Sequence, residues 1–125
     1  MESNGKILIA DDDPRNIFAL RLTLQARGFE CICVSGARDA ISAASASPES
    51  IGLILMDMMM PDMDGYEAIA SLRTNPRTAS LPIVAVTAQA MPGDREKCLA
   101  AGANAYVSKP VNVDLLFNIL DDHLK

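Results

Sequence analysis

The chain has 125 residues and 13.4 kDa, enough for one domain around one core and too little for two. Half of the residues are hydrophobic and 22% are charged, the composition of a folded domain and not of a disordered tail. Sixteen acidic against 11 basic residues give a net charge of −5, which repels phosphate backbones and anionic membrane surfaces.

Short apolar runs alternate with amphipathic stretches along the whole length. The first run, Lys6–Ala10, lies between Gly5 and the aspartates Asp11, Asp12 and Asp13. A helix is predicted over residues 14–27, with Asp13 as its N-cap, Ile17, Leu20 and Leu24 on one face, and Gly28 closing it. The second strand, residues 30–34, carries Cys31 and Cys33, expected to point to opposite faces and so to suit neither a disulfide nor a metal clamp. Together with Cys98 they read as small buried apolar residues of a reducing compartment. Ala37–Ala46 reads as a helix, alanine-rich and poor in large apolar residues, followed by a surface loop over residues 45–50.

Residues 53–57 and 82–86 form nearly continuous apolar strands, with a helix over residues 66–74 between them. A helix over residues 93–101 stops at Gly102, and a fifth strand follows at Ala105–Ser108. The last helix is the clearest: Val113, Leu116, Phe117, Leu120 and Leu124 recur at helical spacing behind Asn112 as N-cap. Five strands alternating with five helices predict right-handed crossovers and a doubly wound α/β fold with a parallel sheet. The whole of residues 1–125 is expected to be a single domain. No apolar run approaches the roughly 18 residues of a membrane span, and the first residues lack a signal-peptide pattern, so a cytoplasmic location is expected.

In such folds ligands bind beyond the carboxyl ends of the strands, where strand order reverses. Here those ends carry Asp11, Asp12 and Asp13, then Asp57, then Thr87, then Ser108 and Lys109. Crowded carboxylates repel unless a cation sits among them. Hard oxygen ligands in an incomplete shell favour Mg²⁺, which keeps waters and leaves room for phosphate oxygens. With Thr87 and Lys109 alongside, the arrangement suits a phosphoryl group.

Four stretches, each at a strand end, carry a resemblance: Ile7-Leu-Ile-Ala-Asp-Asp-Asp-Pro14, Leu55-Met-Asp-Met-Met-Met-Pro-Asp-Met-Asp-Gly65, Val86-Thr-Ala88 and Gly102-Ala-Asn-Ala-Tyr-Val-Ser-Lys-Pro110. The chain resembles the receiver domain of bacterial two-component response regulators over essentially its whole length. The resemblance implies a (βα)5 fold with strand order 2-1-3-4-5, and a phosphoryl group accepted on Asp57 from a phosphohistidine of a sensor kinase or phosphotransfer protein. It further implies Mg²⁺ held by Asp12 directly, Asp11 through water, Asp57 and the backbone carbonyl of Met59. Lys109 would hold a phosphoryl oxygen, with a cis bond to Pro110. Thr87 would bond the attached phosphoryl group, and Tyr106 would be the switch aromatic. The fourth helix, fifth strand and fifth helix would form the face read by a downstream protein target. Dimerisation through that face is left open by the sequence.

Met59 stands where the family faces the phosphoryl group, and an apolar side chain cannot orient an attacking water. Slow self-dephosphorylation is therefore expected, and turnover of an external substrate is not. A phosphatase working through an aspartyl-phosphate needs an acid two residues after its nucleophile, and Met59 stands there. A flavodoxin-like cofactor protein needs a hydroxyl- and glycine-rich loop where this chain has aspartates. The remaining alternative is a docking module of the same fold that takes no phosphoryl group. Asp11 and Asp12 with Asn16, and the methionine-rich loop after Asp57, also resemble receivers attached to hybrid sensor kinases, so a free-standing regulator and a piece of a larger chain both fit.

Overall fold

Strands β1 (Lys6–Ala10), β2 (Cys31–Val34), β3 (Ile51–Asp57), β4 (Ile83–Thr87) and β5 (Ala105–Ser108) are all parallel and pair in the order β2-β1-β3-β4-β5. The structure is a computed structural model and describes residues 5–88 and 91–124. Helices α1 (Pro14–Ala26), α2 (Ala37–Ala46), α3 (Gly65–Thr74), α4 (Asp94–Ala101) and α5 (Val113–His123) alternate with the strands. This is the doubly wound fold expected from the alternation. None of these helices is long and apolar enough to cross a membrane.

The period-two alternation of each strand divides the apolar residues between two cores. Ile7, Ile9, Leu53, Leu55, Val84, Val86 and Val107 face α1 and α5, where Leu20, Leu24, Leu116, Phe117 and Leu120 meet them. Leu8, Ala10, Ile54, Met56, Ile83 and Ala85 face α2, α3 and α4. Here the alanines of α2 find their purpose. Ala37, Ala40 and Ala44 are fully buried, so a helix of small residues lies close against the sheet instead of projecting large side chains into it.

The cysteine pair needs a correction. Cys31 and Cys33 both pack on the α1/α5 side, while Ile32 and Val34 pack on the other. Residues two apart on a strand share a face, so the thiols lie together on one core and not on opposite faces. Burial, with the neighbouring Cys33 adding to it, pushes the Cys31 thiol up to about 11. All three cysteines are free.

The caps follow the sequence reading. Asp13 accepts from the amide of Arg15, Asn112 from that of Leu115, and Gly28 takes φ +90° just past α1. Element bounds differ by a residue or two, most at β3, which begins at Ile51 directly after a short 3-10 turn at Pro48–Ser50. That turn occupies what the sequence presents as plain loop.

Candidate functional site

Register decides what meets at the carboxyl edge. Ala10 pairs with Met56, Asp57 with Val86 and Thr87 with Ser108. The next residues outward therefore come together: Asp11 after β1, Asp57 closing β3, Thr87 closing β4 and Lys109 after β5. Strand order reverses between β1 and β3, so Asp11 and Asp57 flank the crevice of the sheet.

Asp11 and Asp57 are 2% and 3% exposed, a depth at which carboxylates need partners. Asp11 accepts from the backbone amide of Asp13 at 2.8 Å and from the side-chain amide of Asn16. Asp57 accepts from the backbone amide of Met59 at 3.0 Å. The Lys109 ammonium lies 3.0 Å from Asp11 Oδ2 and 3.3 Å from Asp57 Oδ2, so one cation serves two anions. Its backbone is fixed too: the Lys109 amide donates to the Thr87 carbonyl at 2.7 Å, and the peptide to Pro110 is cis.

Burial holds the Asp57 carboxyl above the usual range. The Met59 amide pulls it down, the Asp11 charge pushes it further up, and Lys109 again opposes. For Lys109, burial pulls down, but the hydrogen bond to Asp11 and the charges of Asp57 and Asp11 win, and its value is raised.

Asp12 is exposed at the mouth, and carboxylate oxygens of Asp11, Asp12 and Asp57 all lie within 4.8 Å of one another. Three hard oxygens facing one another, with a single ammonium already shared by two of them, make a donor set that fits Mg²⁺. Thr87 is buried at the same edge. The Met59 side chain is exposed, between the buried Met58 and Met60. Tyr106 is half-buried and packs on the core shared with α4. Every site residue predicted from the sequence except Tyr106 thus gathers at one edge, with Tyr106 on the strand beside it.

Two contributors were not legible as such. Asn16 holds Asp11 in place, although the sequence showed it only as part of a family pattern. Asp62, five residues past Asp57, accepts from the amides of Ala37 and Arg38 at 3.0 Å each, and so caps a helix from another loop.

Residues 7–121 match the response regulator receiver domain family. Over 116 residues the chain is 38% identical to the signal transduction histidine-protein kinase BarA of Escherichia coli, covering 91% of this chain and 12% of that protein. Across the first curated relatives it spans between 7% and 12% of their length. Among solved structures, the receiver domain of a sensor histidine kinase from Pseudomonas aeruginosa, with a magnesium ion coordinated in its active site cleft, superposes with a TM-score of 0.87 at 34% identity, covering 98% of each chain. A yeast receiver domain, co-crystallised with the histidine phosphotransfer protein upstream of it, superposes at 0.85 with 25% identity, over 96% of this chain and 88% of that one. Fold, strand-end chemistry and family match agree, and the chain belongs to the response regulator receiver domains of two-component signal transduction.

Proposed function

We infer that Asp57 is the phosphoacceptor, taking a phosphoryl group from a phosphohistidine on a sensor kinase or a phosphotransfer protein. The observation that carries this reading is the buried Asp57 carboxylate at the sheet's switch point, held by one backbone amide and one ammonium. In the step, an Asp57 oxygen bonds to phosphorus as the phosphorus–nitrogen bond breaks, and the electron pair returns to the imidazole. Such transfers need positioning and charge neutralisation more than any other help. The Met59 amide fixes one Asp57 oxygen, and Lys109 is placed to follow charge as it moves onto the phosphoryl oxygens. Asp11, Asp12, Asp57 and the Met59 carbonyl would hold Mg²⁺, which supplies further neutralisation of phosphoryl charge when bound.

Thr87 would bond the attached group, and Tyr106, packed against the α4 side, would change its packing in response. The change would be read on α4, β5 and α5 by a protein target in the cytoplasm. Residues 1–125 would act as one receiver unit, and the domain would turn over no external substrate.

Incubation with acetyl phosphate and Mg²⁺, followed by intact-mass measurement, is expected to give a single phosphoryl adduct. The adduct is expected to be absent from Asp57→Asn and from reactions containing EDTA. No adduct, together with no beryllofluoride binding, would favour the docking-module alternative. Once formed, the adduct is expected to persist for minutes or longer after removal of the donor, because Met59 offers no group to orient water; decay within seconds would contradict that role for Met59.

A further inference from the structure

Asp62 lies in the loop joining β3 to α3, yet its two carboxylate oxygens are committed to a different element. Oδ1 accepts from the amide of Ala37 and Oδ2 from that of Arg38, each at 3.0 Å. These are first-turn amides of α2, and the residue at the N-cap position, Gly36, has no side chain with which to cap them. The bonds hold the Asp62 carboxyl below the usual carboxylate range, the Arg38 amide contributing most.

The same loop carries the groups that touch Asp57. At its start, the Met58 amide donates to the Val86 carbonyl and the Met59 amide to Asp57. At its end, Asp64 caps α3, and Gly65 lies so close that an added Cβ would come within 2.7 Å of Met58 Cα. Between these anchors the loop must cross from residue 59 to residue 63. Met60 and Met63 pack on the α2/α3/α4 core there, but apolar packing does not fix direction. Asp62 supplies a directional, charge-assisted tie to a second element.

We propose that Asp62 is a positioning residue for the phosphoacceptor: by binding the N-terminus of α2 it fixes the loop that aims the Met59 backbone at Asp57. This rests on the reading of Asp57 as the acceptor. The alternative is that Asp62 merely stabilises α2, and the geometry allows the two to be separated. Gly36 has φ −146° and ψ 158°, extended backbone that serine adopts readily as an N-cap. A Cβ at Gly36 would sit 3.0 Å from Asp62 Oδ2, so the space for it opens when Asp62 is shortened. The double variant Gly36→Ser/Asp62→Ala therefore restores a cap to α2 without restoring the tie to the loop.

The wild type, Asp62→Ala and the double variant would be compared by urea unfolding, by labelling rate with acetyl phosphate and Mg²⁺, and by hydrogen exchange at the Met59 amide. Asp62→Ala is expected to lower stability, to slow labelling on the order of tenfold, and to speed Met59 exchange. The double variant is expected to regain stability while labelling stays slow and Met59 exchange stays fast. Recovery of labelling and exchange along with stability would overturn the proposal, as would wild-type labelling and exchange in Asp62→Ala. A wild type that fails to label overturns the phosphoacceptor reading instead, and Met59 exchange then still decides whether Asp62 holds the loop.

Discussion

Lys109→Met is expected to lose about 3 kcal/mol of folding stability at neutral pH, because it strips the shared cation from two buried carboxylates while keeping most of the side-chain stem. The figure sits at the low end for a broken buried pair because the Lys109 side chain is 20% exposed, and water tempers the field there. The loss is expected to depend on pH. Asp57 already lies above its ordinary range through burial and the Asp11 charge, and removing Lys109 raises it further. A carboxyl raised on folding adds stability only in its protonated form, which is fully present below its unfolded value near about 4 and lost as pH rises through the folded value. The deficit relative to wild type is therefore smallest in acid and largest above the raised value. Mg²⁺ should reduce it at neutral pH by restoring positive charge to the cluster. Urea unfolding of both chains at several pH values, with and without Mg²⁺, checks this. A deficit indifferent to acid and to Mg²⁺ would mean that Lys109 acts through its stem alone.

Arg73→Met is expected to lose a similar amount, about 3 kcal/mol, with neither dependence. Near the C-terminal end of α3, the Arg73 guanidinium donates to the carbonyls of Gly102 at 2.9 Å, Ala79 at 2.9 Å and Leu81 at 2.7 Å, and to the side chain of Asn104 at 2.8 Å. Asn104 in turn accepts from the amide of Ile83, the first residue of β4. One side chain thus closes the amino ends of β4 and β5 onto α3. Methionine preserves the stem and leaves partly buried carbonyls without donors, a larger penalty than the net worth of each bond. Arg73→Lys is expected to recover less than half, because a single ammonium cannot reproduce the planar fork. Equal stability of the arginine and lysine forms would show that charge, not fork geometry, is what these carbonyls need.

Much of this was legible in the sequence, and the reasons differ by element. Strand ends are marked by an abrupt change from apolar to charged residues, so the sequence alone places Asp11, Asp57 and Lys109 at them. Asp13 and Asn112 could be read as caps because capping is a local matter of a few residues. Asp62 could not, since its helix lies 24 and 25 residues back along the chain. Nor could the role of Arg73, since its acceptors lie on loops that only the fold brings near it. Cys31 and Cys33 share one face, against the expectation of opposite ones, because residues two apart on a strand lie on the same side. The roles of Thr87 and Tyr106 came from resemblance, and the structure adds burial at the site's edge for one and packing toward α4 for the other.

The Arg73 fork has a consequence for how a disturbance at the other rim would spread. At the amino rim, neutral acceptors are laced to one planar donor; at the carboxyl rim, two anions share one ammonium on a flexible stem. A doubly charged group added at Asp57 would therefore meet a clamped far side and a yielding near side. The sheet would behave like a fan held at its handle. Displacement would open outward through the loops after β4 and β5 and fade toward the Arg73 end, so the message would leave the molecule sideways, along α4, and not through its base.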